Sequence, residues 1–458
     1  MMERVPTGIE GFDSLIEGGI PRGSLVVVAG RPGSGKTIFA AQYLWFGLEH
    51  DEPGMYVSFT EDRDAFLRNM KRFGMDFEKY ERTGKFTFLD FVTVKAPGVG
   101  EFLTDILQGI DSSKAKRLVI DSFTALSQGL VEKAEIRGIT HTVLGRMAGL
   151  GRLGLTRLLL VEKSSSSDPS GPEEFVADGV IILEHMMEGN VEKRELWISK
   201  MRGTAIDRMR FEFLIDEKYG GLSVITLPIR PAIEVAPVER LTTGVEGLDK
   251  MLNGGVFGRS ITLIEGPEGT GKTTLCLQFL FSNAKKGERA LFITFEEPIG
   301  QIKRMLKTYG MDYEKLGDNF NVDAYVPEAL SPRHYYKLLR GILETRGPTV
   351  LAIDSLTAMR HTMTSDDFMT FMRYLQLLCK EKELTVFAVS STGKRWAELR
   401  SGASTFVDDI VVMRYRELEG KMVREIMVVK SRGPHEDRIM RFDVTGEGIV
   451  VQWMTPSY

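Results

Sequence analysis

Short, almost uninterrupted apolar runs punctuate the chain. In the first half they are SLVVVAG (24–30), MYVSF (55–59), RLVIDS (117–122), TRLLLVEKS (156–164) and GVIILEH (179–185). Each is too short for an ordinary helix, and several are rich in β-branched residues, which predicts strands. Apolar positions follow one another without alternating with polar ones, so both faces of these strands are predicted to be covered. Between the runs lie stretches of helix-like composition such as TIFAAQYLWFGL (37–48). Strands separated by helices predict an α/β fold, a mostly parallel sheet flanked by helices.

The pattern occurs twice. PTGIEGFDSLIEGGIPRGSLVVVAGRPGSGKT (Pro6 to Thr37) aligns without gaps to TTGVEGLDKMLNGGVFGRSITLIEGPEGTGKT (Thr242 to Thr273). The same spacing carries Phe59-Thr60-Glu61 onto Phe295-Glu296-Glu297. RLVIDSFTAL (from Arg117) matches VLAIDSLTAM (from Val350), and ISKMRGTA (from Ile198) matches VVKSRGPH (from Val428). Order and spacing are kept throughout, so the chain reads as a duplicated domain, with halves at 1–230 and 231–458. The seam, ITLPIRPAIEVAPVERL (225–241), is proline-rich and reads as an extended linker.

Each half carries the pattern G-x-x-x-x-G-K-[ST], as GRPGSGKT (30–37) and GPEGTGKT (266–273). Glycines at Gly30, Gly33, Gly35, Gly266, Gly269 and Gly271 let the backbone wrap phosphates with its N–H groups; Ser34 and Thr270 complete the two loops. The following helix presents its positive end to the anion. Lys36 and Lys272 are expected to reach the terminal phosphates, and Thr37 and Thr273 to ligate Mg²⁺ through their hydroxyls. Each match follows an apolar run and opens a helix-like one, and the two stand in register, which points to a nucleotide with Mg²⁺. Asp121 and Asp354, each in IDS after an apolar run, are the expected acidic partners of the metal.

The chain has 458 residues, and a length prior of about 150 residues per domain gives way to the repeat. A formal net charge of −4 argues against nucleic-acid binding driven by bulk charge. The two cysteines, Cys276 and Cys379, lie in apolar helix-like runs and read as buried, reduced core residues. Two lone thiols make neither a disulfide framework nor a zinc site. With no N-terminal signal region and no membrane-length apolar run, the expectation is a cytoplasmic protein.

Taken together, TGIEGFD/TGVEGLD before each P-loop, FEE after the next strand, IDS, and K-x-R-G late in each half resemble the KaiC family of circadian-clock ATPases, within the RecA/RadA class. The resemblance covers nearly the whole chain. It implies two tandem RecA-like P-loop NTPase domains assembling into a homohexameric double ring, with ATP between neighbouring subunits. It assigns Glu296 and Glu297 as catalytic glutamates that polarise water or a hydroxyl near the γ-phosphate. In the first half Thr60 and Glu61 stand there, and a threonine cannot take up a proton near neutral pH. Adjacent strand residues point to opposite faces, so Glu61 is expected to face away from the water if the strand extends that far. The first ring is then expected to bind ATP and hydrolyse it slowly, and the second to do most of the chemistry. The resemblance also implies that Lys200 and Arg202 of one ring, and Lys430 and Arg432 of the other, enter the neighbouring subunit's site.

The family autophosphorylates an adjacent Ser-Thr pair in its second half. Ser404 and Thr405, in SGASTFVDDIVVM (401–413), stand at the corresponding place, and the first half offers Glu173 and Glu174 in PEEFVADGVIIL. The resemblance thus implies a serine/threonine autokinase as well as an ATPase, acting in signalling or timing with a protein partner the sequence does not identify. Relatives continue well past the last strand, whereas this sequence ends at IVVQWMTPSY (449–458), so regulation through such a tail is not expected. The alternative is a RecA/RadA-like DNA-binding ATPase, for which the arginine- and glycine-bearing segment 126–157 is the candidate contact; DNA is the less favoured partner.

Overall fold

The computed structural model describes residues 3–92, 99–128, 154–163, 172–188, 191–206, 209–217, 220–226, 239–326, 331–391 and 402–453. Most of the proline-rich seam, and residues 129–153 of the basic segment, lie outside the described residues. The chain divides into two units, Met1–Leu227 and Pro228–Tyr458.

In the first unit a hairpin of β1 (Arg4–Val5) and β2 (Ile20–Pro21) precedes β3 (Leu25–Gly30), β4 (Gly54–Ser58), β5 (Phe86–Asp90), β6 (Arg117–Asp121) and β7 (Thr156–Glu162). Then come β8 (Gly179–Glu188), β9 (Val191–Met201), β10 (Phe211–Asp216) and β11 (Gly221–Val224). Nine strands form one sheet in the order β11-β10-β9-β8-β3-β7-β6-β4-β5. Pairing is parallel from β8 through to β5. It is antiparallel from β8 out to β11.

The second unit repeats this plan. A hairpin of β12 (Arg240–Leu241) and β13 (Val256–Phe257) leads into β14 (Ile261–Gly266), β15 (Ala290–Thr294), β16 (Phe320–Ala324), β17 (Val350–Asp354) and β18 (Thr385–Ser391). After them come β19 (Asp409–Leu418), β20 (Lys421–Lys430), β21 (Met440–Thr445) and β22 (Gly448–Gln452). The nine-stranded order is β16-β15-β17-β18-β14-β19-β20-β21-β22. Each unit is thus a mostly parallel α/β sheet, the RecA-like plan expected of the sequence, extended by antiparallel strands on one side.

Burial explains the apolar runs. All six residues of β3 are buried, and so are all six of β14. Val26 and Val28 pack with Phe39, Tyr43 and Leu44 of the helix Lys36–Glu49, while Leu25, Val27 and Ala29 pack on the opposite face with Ile106 and Phe123. A strand sandwiched in this way has no face to give to water, so alternation is lost. Cys276 and Cys379 are both buried free thiols. Among the described residues no helix is long and apolar enough to cross a membrane.

One buried position breaks the repeat. Where β3 has Ala29, in its apolar core, β14 has Glu265. Glu265 is 3% exposed, and its Oε2 finds no hydrogen-bond partner. Burial alone pushes its carboxyl up to about 7. A folded-state value above the unfolded one means the stability contribution is complete at acid pH and is lost as pH rises through about 7. Glu265→Ala, which copies the first unit, is therefore expected to remove this pH dependence. Relative to the parent, the variant should gain roughly 2–3 kcal/mol in the second unit between about pH 5 and pH 8. Denaturant titrations at the two pH values measure it; parallel behaviour of the two proteins would contradict a charged Glu265 in that core.

Candidate nucleotide sites

Each P-loop connects a central strand to a buried helix. β3 ends at Gly30 and the helix Lys36–Glu49 follows; β14 ends at Gly266 and the helix Lys272–Ala284 follows. The first glycine is required by a neighbouring strand. A Cβ on Gly30 would lie 2.3 Å from the Leu183 carbonyl oxygen, and on Gly266 2.1 Å from that of Met413. The glycine capping each helix is left-handed, with φ 99° at Gly35 and 107° at Gly271. Gly33 and Gly269 lie at the middle of the loops, and each has its carbonyl tied to the neighbouring hairpin. Arg194 donates to Gly33 at 2.9 Å, and the Tyr415 hydroxyl donates to Gly269 at 2.6 Å.

The lysines fold back across their loops. Lys36 Nζ donates to the carbonyls of Gly30 and Arg31, both at 2.9 Å, and Lys272 Nζ to those of Gly266 and Pro267, both at 2.8 Å. Burial pulls both ammonium groups below the ordinary lysine value, against the opposing pull of nearby carboxylates. A partly desolvated cation in a glycine cradle at a helix N-terminus fits a polyphosphate. Ser34 is fully buried with an unpartnered hydroxyl, whereas Thr270 donates to the Pro267 carbonyl at 2.8 Å.

The acidic partners stand beside the P-loop threonines. Thr37 Oγ1 donates to Asp121 Oδ2 at 2.9 Å, and Thr273 Oγ1 to Asp354 Oδ2 at 2.6 Å. A hydroxyl beside a carboxylate at the mouth of a phosphate loop is an all-oxygen donor set that suits Mg²⁺. The peptide after each aspartate, to Ser122 and Ser355, is cis. The surroundings of the two carboxylates differ. Asp121 also accepts from Tyr56, at 2.5 Å, and a longer contact from Thr60 at 3.5 Å. Asp354 is pushed up to about 6, mainly by burial and further by Glu296 and Glu297, against the Thr273 hydrogen bond and the Lys272 charge.

The glutamates leave their strands before the alternation rule applies to them. β4 ends at Ser58 and β15 at Thr294. Ser58 Oγ then accepts the amides of Thr60 and Glu61, at 3.4 and 3.1 Å. Thr294 Oγ1 likewise accepts those of Glu296 and Glu297, at 3.2 and 2.8 Å. These hydroxyl turns bend the chain. The strand ends before Glu61, so alternation does not turn it away: Glu61 is in a turn, where burial and, less, nearby Asp121 raise its pKa. The Asn69 side chain, which donates to Glu61 Oε1 at 2.5 Å, opposes them. Glu296 accepts a hydrogen bond from the Ser355 hydroxyl, which ties it to the residue after the metal-site aspartate.

The late lysines and arginines do not join these groups. Lys200 pairs with Val180, and Val180 lies beside Val27, three residues short of Gly30. Lys430 pairs with Ile410, which lies beside Leu263, three residues short of Gly266. Each lysine is thus about 10 Å back along the strand and about 10 Å across from its own loop. Their ammonium groups cap a local turn instead. Lys200 donates to the carbonyls of Ala177 (2.6 Å) and Glu174 (3.4 Å), and Lys430 to those of Val407 and Ser404, both 2.7 Å. Arg202 pairs with Asp178 at 3.4 Å and Arg432 with Asp408 at 2.6 Å.

The same contacts correct the pairing of Ser404 and Thr405 with Glu173 and Glu174. Asp178 and Asp408 hold equivalent places, each accepting the amide that opens the P-loop strand, from Leu25 and Ile261. Counting back from them sets Ser404 against Glu174 and Thr405 against Phe175. The carboxylate of Glu174 pairs with Lys163 at 2.5 Å, both side chains nearly buried. Sequence reasoning did not assign Tyr56, the two turn hydroxyls or the two hairpin tethers. The Tyr56–Phe292 difference is visible in the repeat, but a buried aromatic reads as core until the fold shows where its hydroxyl ends.

A family model described as "ATPase: KaiC" matches residues 5–228 and again 241–455. The circadian clock protein KaiC3 of Synechocystis is 32% identical, across 98% of this chain and 91% of that protein. The circadian clock oscillator protein KaiC of Thermostichus vulcanus is 31% identical, across 98% of this chain and 89% of its own length. That of Nostoc is 32% identical over the same shares. With the motif, the fold and the duplicated site in agreement, the chain belongs to the KaiC family of ATPases.

Proposed function

We propose that this protein binds MgATP at both P-loops and hydrolyses it mainly at the second. The observation that carries the reading is that Thr60 stands where the second site has Glu296. Both loops have a lysine, a threonine and a buried aspartate; only the second sets a carboxylate in the first turn position, hydrogen-bonded to Ser355. Glu296, with Glu297 beside it, would accept the proton of the attacking water. Thr37 with Asp121, and Thr273 with Asp354, would hold Mg²⁺, which when bound draws charge off the transferring phosphoryl group. The two domains, 1–230 and 231–458, would serve as a retention site and a turnover site.

Lys200, Arg202, Lys430 and Arg432 are too far from their own loops to act there. We place them in the site of a neighbouring copy, as cations completing a ring of subunits, hexameric by family resemblance. Supplying charge in trans makes turnover depend on assembly. The DNA-binding alternative is not favoured, since the relatives that match over almost the whole chain bear circadian-clock names.

Glu296→Gln is expected to lower steady-state phosphate release at least about tenfold while leaving nucleotide bound. Lys36→Ala should remove about half of the bound nucleotide and cost less than about half of the turnover. Loss of turnover in Lys36→Ala with full turnover in Lys272→Ala would reverse the assignment.

A second reading is self-phosphorylation of the second domain. Ser404 and exposed Thr405 occupy the place of Glu174 and Phe175, and Lys430 holds the Ser404 carbonyl. Intact mass after incubation with MgATP, followed by peptide mapping, is expected to find phosphate on Ser404 or Thr405, and none in Glu296→Gln. An unmodified chain that turns over ATP would leave only the ATPase.

A further inference from the structure

Two aromatic side chains at one position of the repeat differ by a single oxygen. Tyr56 on β4 and Phe292 on β15 are both buried in their cores, at 1% and 0% exposure. The Tyr56 ring is fixed by Phe66, with centroids 4.4 Å apart, and by Phe88, stacked at 5.4 Å. Its hydroxyl donates to Asp121 Oδ2, at 2.5 Å, and lies beside the Thr37 hydroxyl as well. The same carboxylate oxygen accepts from Thr37 at 2.9 Å. In the second domain Thr273 donates to Asp354 Oδ2, and Phe292 has no hydroxyl to add.

We propose that Tyr56 is a positioning residue for the metal at the first P-loop, and that its hydroxyl makes this loop the one that retains Mg-nucleotide. This rests on the nucleotide reading above and adds to it a cause of retention separate from the missing glutamate.

The physical argument concerns one carboxylate. A buried aspartate that is to hold a metal, directly or through water, must keep one orientation. Two hydroxyls converging on Oδ2 fix the rotation of the carboxylate. Asp121 Oδ1 takes only the long contact from Thr60, at 3.5 Å, among the described residues. The Tyr56 hydroxyl is itself held by a packed ring, so little freedom is lost on binding. Partners of this outer kind commonly change metal affinity 10- to 100-fold. Asp354 lacks this second anchor. A carboxylate held by one hydroxyl rather than two suits a site that must release its product and reload.

The substitution that tests this is mild, because the second domain already accommodates phenylalanine at this place. In the full chain, with Lys272→Ala silencing the second loop, the release of a fluorescent ATP analogue is followed as a function of Mg²⁺ concentration. Tyr56→Phe is expected to raise the Mg²⁺ concentration needed for half-maximal retention about tenfold. The release rate in excess EDTA and the thermal midpoint of the nucleotide-free protein should stay unchanged. Reciprocally, Phe292→Tyr in a Lys36→Ala chain should lower the Mg²⁺ requirement of the second loop. An unchanged Mg²⁺ midpoint in Tyr56→Phe, or a change equal with and without Mg²⁺, overturns the assignment. A parent chain that retains no labelled nucleotide at the first loop overturns the reading of the loop itself, and this assignment with it.

Discussion

The contact on which both sites depend is one hydrogen bond between distant parts of the chain. In each domain the threonine at the start of the P-loop helix donates to the aspartate at the end of a strand two places away in the sheet. For it to form, β3 and β6 must be parallel and in register, so that both carboxyl ends come to the same edge; β14 and β17 obey the same rule. The covered apolar strands, the helix packed behind the loop and the glycine that clears the neighbouring strand all serve that juxtaposition. Ligands at the carboxyl edge of a parallel sheet follow from the same geometry.

Duplication preserved this frame and changed the groups that act within it. Cores tolerate apolar exchange, so most differences between the halves are silent. The differences with consequences are polar: Ala29 against Glu265, Tyr56 against Phe292, Thr60 against Glu296, Glu174 against Ser404. All four alter hydrogen bonding or charge next to a loop or to the turn that precedes β8 and β19. The tether on the middle glycine shows the opposite behaviour. Arg194 and Tyr415 are chemically unlike, yet both hold the same carbonyl. Constraint acts there on the position of the loop, and either donor meets it.

Much of this was legible in the sequence because its signals are local. A glycine-rich loop between an apolar run and a helix, met twice in register, specifies both the strand end and the helix start. The parallel core was legible because burial on both faces erases alternation. The outer antiparallel strands were not, since their burial mixes core and solvent, as in β20, whose ends are exposed and whose middle is buried. The sequence leaves open where the strand before Glu61 ends, because Ser58 reads as part of a strand run and only its hydrogen bonds to the following amides end it. The offset of one residue at Ser404 has a similar origin. Two polar pairs before two apolar runs look alike, and the register is set by the aspartates that cap β3 and β14.

The position of the late cations is the remaining constraint, and it bears on assembly. Lys200 and Lys430 are anchored by two carbonyls each, at the opposite end of the sheet from their own phosphate loops. Neither a rotamer change nor a small shift spans that separation, since a lysine side chain reaches only about 6 Å from its Cα. Within one chain they organise the turn before β8 or β19, and in the second domain that turn carries Ser404. If a neighbouring copy presented its nucleotide to this edge, the lysine would have to exchange a carbonyl for a phosphate oxygen. The turn holding Ser404 would then be loosened by the same event that completes the neighbour's site. A single side chain would thus link the state of one subunit's nucleotide to the exposure of another's hydroxyl, without any motion of the sheet.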